Sequence, residues 1–115
     1  LIYSEAVTRG GSGGNTAQAL TYVNNLRERA YGNASGNVTS LSIPFFLDER
    51  ARELYWEGFR RTDLILYGKY TNASYVWPFK GGAKAGTGVS DTRNLFPIPS
   101  ADLIANTNLV QNAGY

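Results

Sequence analysis

With 115 residues, 43% of them hydrophobic and 17% charged, the chain is at most one modest domain. It contains neither cysteine nor histidine, which excludes disulfides, thiolate nucleophiles, the usual zinc sites and histidine general bases. A formal charge of +2, on basic residues that mostly alternate with acids, is a poor footprint for nucleic acid, which needs a one-signed stripe.

Leu1-Ile2-Tyr3 opens without a methionine and reads like the inside of an amphipathic helix. The chain is therefore expected to be a fragment of a longer protein, with any targeting signal outside it. Ile2, Tyr3, Ala6 and Val7 sit near helical spacing, and the glycine-rich run at residues 9–15 then favours a flexible turn. A second helix is predicted over residues 16–31, where Ala19, Leu20, Val23, Leu26 and Ala30 share one face. Two helices joined by a glycine turn make an antiparallel hairpin, the unit of tetratricopeptide-like solenoids. One hairpin cannot bury its own apolar face, so its stacking partners are expected from the rest of its own chain.

Residues 32–40 form a loop of small and polar residues. Ser42 is a suitable N-cap for a main helix, with Pro44 in its first turn, where a missing N–H costs little. The reading is a long helix over residues 42–70, bent at Gly58. Leu47, Ala51, Leu54, Tyr55, Phe59, Ile65 and Leu66 fall on one side, but Trp56 and Leu64 lie among the charges, which predicts cover on both sides. Residues 71–94 hold four glycines and one proline and are expected as an extended loop, with room for a short strand at residues 75–79. The tail, residues 95–115, carries Pro97-Ile98-Pro99, a helical turn from Ser100 and an asparagine-rich coil.

Nine of the twenty charged residues fall between Asp48 and Asp63. A glycosidase needs two carboxyls facing each other across a sugar, about 5–10 Å apart. Glu53 and Glu57, one helical turn apart, reach the short end of that range. Side chains on one helix point the same way, however, and cannot readily flank a bond from opposite faces. Arg50 precedes Glu53 by three, Arg60 follows Glu57 by three and Arg61 follows it by four, offsets that suit ion pairs. A carboxylate beside an arginine stays ionised, the wrong state for a general acid. Glu49, Arg50, Glu53, Glu57, Arg60 and Asp63 are therefore expected to form a structural ion-pair network. No catalytic residue and no metal site is expected.

The aromatics differ. Tyr67, Tyr70, Tyr75, Trp77 and Phe79 precede Lys80-Gly81-Gly82. Flat aromatic faces stack on sugar rings, and glycine-rich loops can position them; the same rings can equally plug a gap between loop and helix. Trp77 and Tyr75 are the candidate ligand contacts. Two other motifs fail. Gly10-Gly11-Ser12-Gly13-Gly14 lacks the strand and the Gly-Lys-Ser/Thr ending of a phosphate loop. Three N-glycosylation sequons, at Asn33, Asn37 and Asn72, are unremarkable in a chain this rich in Asn, Ser and Thr.

The run from Leu47 to Leu54, followed by Glu57-Gly58-Phe59-Arg60-Arg61-Thr62-Asp63-Leu64, resembles the C-terminal signature of SusD/RagB-type proteins. Phe96-Pro97-Ile98-Pro99, Asn106, Asn108-Leu109, Gln111-Asn112 and Gly114-Tyr115 resemble that family's closing segment, and residues 75–82 resemble a loop of one of its branches. The pattern departs where the family often has histidine at Phe59 and proline at Thr107 and Ala113. The resemblance implies a mainly α fold, here the C-terminal part of a SusD-like domain. It also implies a lipid-anchored protein on the surface of the outer membrane of Bacteroidetes-type bacteria. Such proteins bind glycans, occasionally peptides, and pass them to a SusC-like TonB-dependent transporter, with no enzymatic activity and no cofactor. The anchor, an N-terminal lipidated cysteine, would lie outside this stretch. A glycoside hydrolase using Glu53 and Glu57, or a helical protein-interaction scaffold, are the rival readings.

Overall fold

Local capping signals set the first two helices. Helix α1 (Ile2–Thr8) closes on Gly10, whose φ of 87° is the left-handed conformation that glycine adopts without strain. Gly10 N–H donates to Val7 O at 3.0 Å and Gly11 N–H to Ala6 O at 2.9 Å, the paired bonds of a Schellman turn. Helix α2 (Thr16–Tyr31) starts from Asn15, whose side chain accepts from the Gln18 N–H at 2.9 Å, and ends on left-handed Gly32. Ser4 Oγ donates to Ala19 O at 2.9 Å in a buried bond, and the Tyr3 and Tyr22 rings meet edge to face at 5.4 Å. Nearer the turn, Gly14 lies hard against Val7, so α1 and α2 run in opposite directions.

The computed structural model describes residues 1–115, with five α-helices, three short 3-10 turns and no strand. It divides into two units, Leu1–Arg60 and Arg61–Tyr115. In the first unit the buried apolar residues are Ala19 and Val23 of α2 with Phe46 and Leu47 of α3 (Ile43–Glu53). Ser42 caps α3 by accepting from the Phe45 N–H at 3.4 Å, and Pro44 lies in the first turn.

The single bent helix expected over residues 42–70 is instead two helices. α3 ends at Glu53 and α4 (Arg60–Leu66) begins after six intervening residues. Between them Gly58 has φ 80° and Trp56 has φ 66°, and two left-handed residues so close cannot belong to a right-handed helix. Glycine takes that conformation freely; at Trp56 it costs about 1 kcal/mol. Arg60 Nη1 donates to Leu47 O at 2.8 Å and brings the chain back onto α3. The cover expected on both sides is also absent at Trp56, which is 89% exposed, whereas Leu64 is buried.

The second unit is held by side chains that replace sheet bonds. After the left-handed turn at Gly68, residues 69–94 form a loop with 3-10 turns at Lys80–Gly82 and Asp91–Asn94; the strand expected at residues 75–79 does not form. The short helix α5 (Ser100–Ala105) follows. Gln111 grips the backbone of Ile98 from both sides, accepting from its N–H at 2.8 Å and donating to its carbonyl at 2.9 Å. Asn112 Nδ2 donates to Phe96 O at 2.7 Å and Tyr115 Oη to Leu95 O at 2.8 Å. These amides and the phenol fasten the tail to residues 95–98 without a backbone ladder.

Gly86 illustrates how tightly the loop is folded. Its φ is 81°, and a Cβ there would sit 2.4 Å from the Trp77 carbonyl oxygen. Gly86→Ala is expected to cost about 2 kcal/mol from the left-handed backbone and the clash together, read as a loss of unfolding free energy in denaturant titration.

Candidate functional site

The loop of the second unit is built around one buried cation. Lys80 is 3% exposed, and its ammonium donates to three backbone carbonyls: Lys69 at 3.2 Å, Asn72 at 2.6 Å and Tyr75 at 2.6 Å. Three N–H donors meet three acceptors, so the group is satisfied without a carboxylate. Burial pushes its pKa below the usual lysine value. The same Nζ lies 4.7 Å from the centre of the Trp77 ring, a cation–π contact that fixes one face of the indole.

From Trp77 a row of rings and cations continues. The Tyr70 ring is 6.3 Å from Trp77 and inclined by 31°. The Arg61 guanidinium lies 5.0 Å from Tyr70 and 3.7 Å from Phe96, and its Nη2 donates to the carbonyls of Arg93 and Asn94 at 2.9 and 3.2 Å. The Arg93 guanidinium lies 4.8 Å over the Tyr115 ring. Together these groups line a cleft of about 270 Å³ that no Asp or Glu side chain enters. That volume lies just below the roughly 300 Å³ at which small-molecule pockets begin, room for one ring rather than a chain of them.

Of the two candidate ligand contacts, Trp77 lines this cleft and Tyr75 does not. Tyr75 is half-buried, and its carbonyl serves the Lys80 ammonium. Lys80, Arg61, Arg93, Phe96 and Tyr115 were not singled out from the sequence as ligand contacts. No spacing rule brings together a residue of α4, a 3-10 turn and two stretches of the tail region.

The carboxylates of the first unit reach across to α2 as well as along α3. Glu49, 6% exposed, receives Arg27 Nη1 at 2.6 Å and Arg52 Nη2 at 2.7 Å. Glu53 pairs with Arg29 of α2. Arg27 also donates to Gly36 O and lies over the Tyr31 and Phe45 rings, at 5.4 and 5.8 Å. Glu57 is exposed in the turn before α4, Arg61 serves carbonyls instead, and Asp63 is buried on α4. Glu53 and Glu57 therefore do not share a helix, and no cluster of acids suited to a metal ion exists.

Over residues 1–115 the sequence matches the SusD family. The chain belongs to the SusD family. The SusD-family chain is 41% identical over its full length to the starch-binding protein SusD of Bacteroides thetaiotaomicron. Surface glycan-binding protein A, also from Bacteroides thetaiotaomicron, has a similar structure, with a TM-score of 0.71 and 33% identity over 96% of this chain. The same protein in complex with laminarihexaose matches with a TM-score of 0.69 over 95% of the chain. The SusD-family chain spans only 20% of the length of the starch-binding relative and 22% of the surface glycan-binding protein.

Proposed function

We propose that the protein is a glycan-binding component of a cell-surface nutrient-uptake complex that passes oligosaccharide to a SusC-like TonB-dependent transporter of the outer membrane. The observation that carries this reading is the shared fold, at 33% identity, with a surface glycan-binding protein seen with laminarihexaose. Within this chain the ligand contact proposed is Trp77, whose indole is braced by Lys80 at the edge of the cleft, with Tyr75 beside it in sequence. A pre-positioned ring loses little freedom when a sugar stacks on it, which favours binding. The protein acts by binding, without cofactor or bond cleavage, and is tethered by a lipid anchor outside this stretch.

Titration calorimetry of the intact protein with laminarihexaose and malto-oligosaccharides tests the reading. One of these glycans is expected to bind, and Trp77→Ala to weaken that binding about tenfold, the scale of one lost aromatic contact. Absence of binding to any glycan, or shortening of the oligosaccharide during incubation, would overturn it. Co-purification of a TonB-dependent transporter with the tagged protein is the check on the partner.

A further inference from the structure

The two units differ in charge. Residues 1–60 carry six basic and six acidic side chains, whereas in residues 61–115 Arg61, Lys69, Lys80, Lys84 and Arg93 face only Asp63, Asp91 and Asp102. The entire formal +2 of the chain thus belongs to the unit that holds the cleft. Three of its cations line that cleft, and no acidic side chain does. A concave surface of one sign focuses the field on whatever enters it.

The three cations differ in what they can still give. Lys80 has spent its donors on three carbonyls and contributes only its charge. Arg61 uses Nη2 on two carbonyls. Arg93 forms no ion pair and its side chain donates to no protein acceptor; its only side-chain partner is the face of Tyr115. Without a protein acceptor, its N–H fork remains available, and such a fork meets a carboxylate or sulfate with two parallel bonds. Trp77 lies in the same cleft as a flat apolar surface.

We infer that this cleft recognises an anionic sugar residue, a uronic acid or a sulfated sugar, with Arg93 and Arg61 holding the charged group and Trp77 the ring. This deepens the glycan-binding reading and rests on it.

The test uses the intact protein at low ionic strength with three hexasaccharides: hexagalacturonate, a sulfated hexasaccharide and laminarihexaose, which is neutral. One charged probe is expected to bind at least tenfold more tightly than laminarihexaose, and the winner separates carboxylate from sulfate. Raising the salt concentration narrows the gap. Arg93→Gln is expected to bring the ratio of affinities towards one, while Arg93→Lys, which keeps the charge and loses the fork, retains an intermediate ratio. Equal binding of all three glycans overturns this inference and leaves the glycan-binding reading standing, as does a preference that survives Arg93→Gln. If none of the three and no malto-oligosaccharide binds, both fall.

Discussion

Glu49→Ala is expected to lower the unfolding free energy of the intact protein by about 3 kcal/mol, the scale on which removing one partner of a buried ion pair acts. Glu49 is buried on α3 and Arg27 on α2 has a side chain only 11% exposed, so the arginine left behind cannot recover its hydration. The loss is larger than the worth of the pair, because it includes the cost of an uncompensated buried cation. A double-mutant cycle separates the two. Arg27→Met removes the cation while keeping an apolar stem against Tyr31 and Phe45, and in that background Glu49→Ala should cost at least 1 kcal/mol less. A loss below about 1 kcal/mol for Glu49→Ala alone would show that the pair does not hold α2 to α3.

The second large effect is at Lys80. Lys80→Met keeps the length of the side chain but leaves the carbonyls of Lys69, Asn72 and Tyr75 without their donor. A buried polar group left unmatched costs about 1–3 kcal/mol, and relief from burying a charge offsets part of the total, so a net loss of about 3 kcal/mol is expected in denaturant titration. The effect has a pH signature. Burial lowers the ammonium's pKa in the folded chain, so the unfolded chain holds that proton more tightly. Stability from this group is therefore fully present above the ordinary value of 10.5 and falls as pH drops through the lowered one. Wild-type protein should gain stability relative to Lys80→Met as pH rises towards 10.5. Parallel pH profiles of the two proteins would contradict the buried-cation account.

Much of the helical class was legible. The apolar face of residues 16–31 gives α2, Ser42 and Pro44 start α3, and Ser100 opens α5, since each depends on neighbours within a few positions. The break at residues 54–59 was harder to read. Gly58 marked a weak point, but the left-handed conformation of Trp56 is disfavoured for any residue with a Cβ. Something else must hold it, and the Arg60 bond to Leu47 O spans thirteen residues. The ion pairs between helices were beyond short-range reading for the same reason, although Glu49 also meets Arg52 three residues on along α3. Offsets of three and four residues describe neighbours on one helix, whereas Arg27 and Arg29 lie 22 and 24 residues from Glu49 and Glu53.

The amino-acid sequence by itself determined the helical class, the absence of cysteine and histidine chemistry, and the ordered motifs that mark a SusD-family C-terminal region. These follow from composition, from short-range periodicity and from residue order. Only the tertiary structure decided that Glu49 and Glu53 brace α3 against α2, that the dense charge of residues 48–63 is split between two helices, and that Lys80 closes the loop beneath Trp77. Hydrogen bonds and ion pairs act over about 3 Å, and only the folded chain determines which distant residues come within that reach.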